Sequence, residues 1–453
     1  MRVNIKQELA HLKLGDPRRS KRLEKIVMHL VSNPSCSINA SGYNWADIKG
    51  AYRFFSNDKI KEAAIAESIT LATRDRCLQN ETVLCIQDTT NIAFDSSADG
   101  LGYLDHGRGT GVMSHNILAV DTQGCPLGLL NQDIWSRDKK EMGKAKERQQ
   151  RDIADKESNR WLQGVKHCQE LLADCKKIIH VGDREADIYE LLSMPRAVNS
   201  ELLIRATYDR KTLLGNPMWT ELKREKVIAE FDLQVGNAVS GETKIARMSI
   251  RAGMLLLAPP DNKPDLPAIY VYGLLVREEN APPRKKPLEW RLISTEPVEH
   301  AQTAMQKVTW YSYRWRIERF HYVLKSGCRL EHLQLRSIAA LRKAVLIYSL
   351  CAFKLMQLLY ESKINPQQPC TNYLSPQECQ VIFYYHHKVK LYQKQPLTLQ
   401  KAVWFIAKMA GYIGRNNDGP PGIKNLWEGL KKLNTIMQFY QSDSPSYPQN
   451  SFG

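Results

Sequence analysis

The chain has 453 residues, enough for two to four domains with a large buried core. Its 43% hydrophobic and 25% charged residues are typical of an ordinary soluble protein. The longest apolar stretch, residues 344–360, is interrupted by Ser349, Lys354 and Gln357 and is too short for a membrane span. The net charge of +16 favours a polyanionic partner such as DNA or RNA, although a generically basic protein without such a partner is the alternative.

The first 60 residues have a helical and basic pattern. Asp16 and Pro17 mark a helix start, with Asp16 as the N-cap and Pro17 in the first turn. Four cations lie in that first turn, where the helix dipole disfavours positive charge. They are Arg18, Arg19, Lys21 and Arg22. Either an external anion bound there or a turn exposed to solvent would explain this arrangement.

The next segment predicts a mixed sheet. Short apolar runs at 82–87, 116–121 and 127–135 indicate three strands, the last two joined by a turn at Gly124 and Pro126. A helix from about 157 to 175 follows, then strands at 177–181 and 201–204 with a helix between them. Three antiparallel strands, a helix and a strand–helix–strand unit are the RNase H-like plan, so the fold class we expect is α/β.

We predict three domains. Residues 1–61 would form a helical, basic domain that suits a polyanionic partner such as DNA, and residues 62–365 would form a domain with the RNase H-like plan. Residues of about 211–300 within it alternate in short stretches separated by Pro and Gly, which predicts a β-rich insertion. Residues 366–453 have helical periodicity, which suits either a dimerisation face or simple core packing.

The ten cysteines contain no Cys-x-x-Cys pair. His167, Cys168 and Cys175 lack the spacing of zinc ligands, and Cys85 and Cys351 lie in apolar runs typical of small core residues. We therefore expect reduced thiols. No apolar signal core or lipid-anchor motif is visible, so a cytoplasmic protein without a membrane partner is expected.

A single helix is predicted from 309 to 326. At about 100° per residue, Tyr311, Arg314, Glu318 and Lys325 would lie within an arc of roughly 60° on that helix. One hydroxyl, two cations and one carboxylate would then face the same way, which is typical of a phosphate-binding surface.

Two aspartates, Asp88 and Asp183, each follow a predicted strand. Neighbouring parallel strands would bring them to one sheet edge, and Glu318 on a helix beside that edge would add a third carboxylate. Three carboxylates can hold two Mg²⁺ or Mn²⁺ ions about 4 Å apart for an in-line displacement at phosphorus. The alternatives are local: a turn or cap role for Asp88, a helix cap for Asp183, and a surface pair with Arg314 for Glu318.

The segment YSYRWRIERFHYVLKSG contains Tyr-(2)-Arg-(3)-Glu-(6)-Lys. It resembles the YREK signature of one branch of bacterial insertion-sequence transposases of the DDE class. GDREADIYELL and IQDTT resemble the segments around the second and first catalytic aspartates of that branch, and LGDPRRSKRL and GAYRFFSN resemble its DNA-binding region. The resemblance covers nearly the whole chain, and the nearest relatives cut and paste through a hairpin at the transposon end.

The resemblance implies that Asp88, Asp183 and Glu318 are catalytic and bind two Mg²⁺ or Mn²⁺ ions when DNA is present. The other implied roles are DNA contacts. Tyr311, Arg314, Lys325 and Arg205 would contact the DNA backbone near the cleaved end, Trp290 would stack on a flipped base, and Arg19, Arg22 and Arg53 would bind the terminal repeats.

We therefore expect a bacterial cut-and-paste DNA transposase that is associated with the nucleoid when bound to DNA. It would nick the transposon end, form and reopen a hairpin, and join the end to target DNA. Its partners would be DNA with terminal inverted repeats, target DNA and a second copy in a homodimer. The alternatives are a metal-dependent nuclease that does not join strands, and a non-catalytic DNA-binding protein derived from a transposase.

Overall fold

The structure is a computed structural model. It describes residues 5–34, 38–41, 44–95, 98–104, 109–142, 144, 151–236, 243–388, 397–415 and 418–442, and the statements below concern these residues.

The N-terminal region is helical, as its sequence predicts. Asp16 accepts a hydrogen bond from the backbone N–H of Arg18 at 2.8 Å and so caps the second helix at Pro17. Leu23, Val27 and Leu30 of that helix are buried, so its apolar face packs inward. The helices are α1 (Ile5–Glu8), α2 (Pro17–Ser32), α3 (Ile38–Ser41), α4 (Trp45–Phe55) and α5 (Glu62–Cys77).

Ten strands form one mixed sheet. Its first half has the RNase H-like arrangement: β4, β3 and β1 are antiparallel neighbours, and β5 and β6 then continue in parallel with β1. A two-residue strand, β2, also pairs with β3. These strands are β1 (Thr82–Ala93), β2 (Gly102–Tyr103), β3 (Thr110–Val120), β4 (Pro126–Trp135), β5 (Lys177–Gly182) and β6 (Ser200–Arg205).

The predicted insertion extends this sheet and does not form a separate one. Its last strand pairs antiparallel with β6, and the other three follow as an antiparallel meander. The strands are β7 (Val227–Gly236), β8 (Thr243–Leu257), β9 (Ile269–Glu278) and β10 (Glu289–Ser294). Three helices lie between β4 and β7 in the sequence: α6 (Asn159–Leu171) before β5, α7 (Tyr189–Ser193) between β5 and β6, and α8 (Met218–Leu222) after β6.

The prediction of one continuous helix from 309 to 326 is wrong. The chain forms α9 (Ala301–Ser312), turns, forms α10 (Trp315–Tyr322), and ends in a π-helical turn (Val323–Gly327). Contacts with the turn between β3 and β4 stabilise the break between these two helices. The Tyr313 ring packs on Gly124 at the β3–β4 turn, and Arg316 Nε donates to the Gly124 carbonyl at 3.0 Å.

The longest helix, α11 (Ile338–Ile364), is buried along most of its length at the centre of the main core. That core extends from Ile5 to Met437, so helices of the N-terminal and C-terminal regions share it with one face of the sheet. No helix in the described part of the chain combines the length and apolar character needed to cross a membrane. The remaining helices are α12 (Pro376–His387), α13 (Leu399–Met409) and α14 (Ile423–Ser442).

Candidate active site

The register of two parallel strands sets the positions of Asp88 and Asp183. Ile86 of β1 is paired with Val181 of β5, and each aspartate lies two residues beyond its member of that pair. Because side chains alternate along a strand, both carboxylates project from the same face at the same level. Asp88 lies within β1 and Asp183 directly follows β5.

The charges of these carboxylates act on each other. The pKa of Asp88 is raised to about 7, first by burial and then by the charges of Asp183 and Glu318, whereas Arg314 and the Thr89 N–H oppose the shift. The charges of both other carboxylates therefore reach Asp88, although among the described residues the oxygens of all three acids do not lie within 4.8 Å of one another. The structure brings Asp88, Asp183 and Glu318 to one site, and we call these three residues the carboxylate cluster.

Glu318 reaches the cluster from α10. Its Oε1 accepts a hydrogen bond from Arg314 Nη2 at 2.5 Å, and the Arg314 side chain is only 7% exposed. Because the helix breaks at this point, Arg314 is the N-cap residue of α10, and the Arg314–Glu318 pair lies at the N-terminal end of that helix. The predicted local roles also occur: Glu318 pairs with Arg314, and Asp183 accepts the N–H of Glu185 at 2.8 Å.

The Tyr311 hydroxyl lies beside the cluster at the end of α9. It is buried and makes no hydrogen bond of standard geometry. Burial raises its pKa, while the cations of Arg314 and Arg205 lower it and Asp183 raises it. Arg205 ends β6, next to β5, which explains how it reaches this hydroxyl. A buried hydroxyl without a partner beside two cations is suited to a phosphate oxygen.

Lys325 lies on the π-helical turn and contacts β1. Its Nζ donates to Thr90 Oγ1 at 2.9 Å and to the Asn91 carbonyl at 3.1 Å, two and three residues beyond Asp88. The four residues predicted to share one helix face, Tyr311, Arg314, Glu318 and Lys325, therefore do not lie on one helix, but they surround the same site. The four residues come from two helices and a π-helical turn. Single π-helical turns of this kind occur frequently at functional sites.

His321 and Asn116 complete the surroundings of Asp88 and were not singled out from the sequence. His321 Nδ1 lies 3.8 Å from Asp88 Oδ2, and Asn116 Nδ2 donates to His321 Nε2 at 2.9 Å. Asn116 is the β3 residue paired with Asp88. Glu318 and His321 are three residues apart on one helix, and this spacing could have indicated from the sequence that His321 lies beside the carboxylates.

The remaining predicted DNA contacts lie in two other places. Trp290 is half-buried on β10 and packs against the main core, so it is neither a fully buried core residue nor a free surface ring. In the N-terminal region Arg53 is exposed on α4. Arg19 donates to the Leu14 carbonyl at 2.9 Å, and Arg22 lies 3.4 Å from Asp47.

The donor set of the carboxylate cluster fits a divalent cation. It offers carboxylate oxygens from separate elements, and the charges of Asp183 and Glu318 add to burial in raising the pKa of Asp88 while Arg314 opposes them. Oxygen ligands of this kind suit Mg²⁺ or Mn²⁺, and a bound cation would relieve the mutual repulsion.

Two protein families match this chain. Residues 1–60 match the family described as Transposase DNA-binding, and residues 130–353 match the family described as Transposase DDE domain. A solved structure, the piggyBac transposase synaptic complex with hairpin DNA, is similar over 96% of this chain and 74% of that chain, with 8% sequence identity and a TM-score of 0.37. A similarity of that size carries no conclusion about this protein.

The two family matches and the sheet define the class: an enzyme with an RNase H-like DDE domain. More particularly, the chain is a DDE transposase that carries a transposase DNA-binding domain at residues 1–60. DNA is therefore its partner, and domains of this kind generally depend on divalent metal. The predicted fold class and enzyme class are confirmed.

Proposed function

We propose that this transposase belongs to the bacterial YREK branch and moves its element by cutting and pasting through a hairpin. The observation that supports this most is the carboxylate cluster, where the pKa of Asp88 is raised by burial and then by Asp183. Asp88, Asp183 and Glu318 would hold two Mg²⁺ or Mn²⁺ ions. Bound there, the ions would activate water or a 3′-hydroxyl and stabilise the leaving oxygen.

The neighbouring side chains would hold the DNA in line for this chemistry. Arg314 and Arg205 would neutralise a phosphate, and the Tyr311 hydroxyl would donate to one of its oxygens. Lys325 would exchange its contacts with β1 for a phosphate on the same side. Trp290 would stack on a base flipped out during hairpin formation, which is worth roughly 1–3 kcal/mol per base.

The same groups can serve every chemical step. Water nicks one strand, the freed 3′-hydroxyl attacks the opposite strand to form a hairpin, water reopens it, and the hydroxyl finally attacks target DNA. Each step is an in-line displacement at phosphorus, so positioning and charge stabilisation suffice and no covalent protein–DNA intermediate is needed.

We propose three units, at 1–61, 62–365 and 366–453, and a homodimer that synapses two ends with terminal inverted repeats. Arg19, Arg22 and Arg53 of the first unit would bind those repeats. The last unit would contribute to dimerisation. In a bacterial cell the protein would work in the cytoplasm, on the nucleoid.

The test is cleavage of a terminal-repeat fragment by the full-length protein with Mg²⁺. Wild type should give nicks, hairpins and strand-transfer products. Glu318→Ala should lose all three products while still binding the fragment, and Glu170→Ala, at an exposed glutamate on α6, should keep them. Nicks without hairpins or joined products would instead identify a nuclease, and cleavage by Glu318→Ala would refute the site.

A further inference from the structure

A cluster of buried sulfur and nitrogen atoms lies between the sheet and α6. The Sγ atoms of Cys85 and Cys168 and a ring nitrogen of His180 are all within 4.8 Å of one another. Each of these side chains is at most 1% exposed. Cys85 and Asp88 are three residues apart on β1, so they project from opposite faces of the sheet. This cluster is therefore separate from the carboxylate cluster.

His180 is unusually placed for a core histidine. Its Nε2 is 3.0 Å from Ser200 Oγ, but its buried Nδ1 has no hydrogen-bond partner among the residues that the structure describes. Burial first, and then the charge of Arg196, lowers the pKa of His180 to about 3, so the ring is neutral. A neutral imidazole with a free nitrogen is the form that binds metal, and an unsatisfied buried nitrogen is otherwise costly.

A third sulfur lies close to this group. Cys77, at the end of α5, is fully buried and belongs to the same apolar cluster as Cys85, Cys168 and Cys175, but its Sγ is not among the atoms that lie within 4.8 Å of one another. Burial raises the pKa of the Cys77 and Cys85 thiols, so both are protonated when no cation is present. Apolar side chains surround the sulfurs, which leaves little access for water.

We propose that Cys85, Cys168 and His180 bind a structural Zn²⁺. Sulfur and imidazole donors favour Zn²⁺ over Mg²⁺ or Ca²⁺. On binding, each ligating thiol loses its proton to solvent as its Zn–S bond forms, and no electron is transferred.

This ion would fix the strands that carry the two aspartates. Cys85 and His180 are directly paired across β1 and β5, and each precedes an aspartate of the carboxylate cluster by three residues. Cys168 would tie α6 to the same strands. Because the ligands come from three separate elements, β1, α6 and β5, no local spacing in the sequence indicates them, unlike the spacing of zinc fingers.

The test uses full-length protein and Co²⁺ as a spectroscopic substitute for Zn²⁺. Purified protein should contain about one tightly held Zn²⁺ per chain that excess Mg²⁺ does not displace. Loading with Co²⁺ should give thiolate-to-cobalt charge-transfer absorption. Cys85→Ala and Cys168→Ala should each lose that absorption and melt at a lower temperature.

Two controls separate this site from others. Cys351→Ala removes a buried cysteine outside the cluster and should keep the absorption, as should Asp88→Ala on the other face of β1. Wild-type protein without thiolate-to-cobalt absorption would overturn the proposal, even if the alanine variants failed to fold. Absorption that survives in both Cys85→Ala and Cys168→Ala would overturn it as well.

Discussion

Asp88 Oδ2 and His321 Nδ1 lie 3.8 Å apart, yet the two groups do not form an ion pair at neutral pH. Burial, with Lys325 and His115, lowers the pKa of His321 to about 3, so the imidazole is neutral. Because the Asn116 amide donates to Nε2, the ring proton lies on Nδ1 and faces Asp88. His321 is therefore a positioning residue that leaves the charge of Asp88 available to a cation.

Metal binding should depend on pH through Asp88. Its pKa of about 7 means that a proton competes with the cation below neutrality. We expect the affinity for Mn²⁺ to fall about tenfold per pH unit below 7 and to level off above it. Calorimetric titration of the protein with Mn²⁺ at several pH values would measure this. An affinity that is flat from about pH 5 to about pH 8 would contradict it.

Asp88→Asn should stabilise the metal-free protein while abolishing cleavage. The folded-state pKa of Asp88 is raised above its ordinary value of 3.8, so the folded state holds the proton more tightly than the unfolded state. The contribution of the Asp88 proton to stability is therefore fully present below pH 3.8 and is lost as pH rises towards about 7. Removing the charge should restore on the order of 1 to 4 kcal/mol at pH 8.

The measurement for Asp88→Asn is urea unfolding with a chelator present, at pH 8 and at about pH 4. The stabilisation should be large at the higher pH and small at the lower. Glu170→Ala, at an exposed glutamate, serves as the control and should change stability little at either pH. A variant that is less stable than wild type at pH 8 would show that the Asp88 charge is compensated.

Tyr311→Phe should separate stability from activity. Among the described residues the buried hydroxyl has no hydrogen-bond partner of standard geometry, and its contact with Arg205 is at most weak, so its removal should leave unfolding free energy unchanged or raise it by about 1 kcal/mol. Cleavage of the terminal-repeat fragment should fall about tenfold, because one hydrogen bond to phosphate is lost.

Tyr189→Phe is the matched comparison for Tyr311→Phe. The Tyr189 hydroxyl donates to the Pro267 carbonyl at 2.9 Å, so its removal should cost about 1 kcal/mol of stability and leave cleavage unchanged. Denaturant unfolding and cleavage rates of both variants would be compared. Equal cleavage by Tyr311→Phe and wild type would argue against a phosphate contact.

Binding to the terminal repeats should weaken steeply with salt, because arginines contact phosphates. Arg53 is exposed, so Arg53→Ala should lower the slope of log affinity against log salt by about 0.9 without lowering the melting temperature. Arg22 is paired with Asp47, so Arg22→Ala should lower both affinity and stability. Fluorescence anisotropy at several salt concentrations would measure the slopes. Unchanged slopes would place the DNA elsewhere.

The sequence predicted the central strands because alternation of apolar residues is a local signal, but the expected end of the first strand before Asp88 was wrong, since β1 continues to Ala93. The order of strands, the insertion and the parallel placement of β1 and β5 follow from that alternation and from the RNase H-like plan. The helix break after Ser312 could not be predicted in this way, because its cause is the contact of Tyr313 and Arg316 with a distant turn at Gly124. Hydrophobic periodicity predicts which residues of a helix face the core, but it does not predict contacts between a helix and a turn distant in the sequence.

The other feature beyond the reach of sequence patterns is a buried ion network that ties the N-terminal helix to the core. Glu8 accepts hydrogen bonds from Arg76 at 3.0 and 3.1 Å and from Lys354 at 3.3 Å. Burial lowers the pKa of Lys354, and Glu8 opposes that shift. Three charged residues far apart in sequence leave no spacing signal, and each alone predicts a solvated surface.

Glu8→Gln should therefore destabilise the protein by roughly 3–5 kcal/mol, because the buried Lys354 and the half-buried Arg76 lose their counterion. Lys354→Met removes one of those cations at similar volume, so the double variant should recover part of the loss. Denaturant unfolding of both single variants and the double variant gives the coupling energy. If the losses were simply additive, Glu8 and Lys354 would not depend on each other and α1 would be held to the core by its apolar contacts alone.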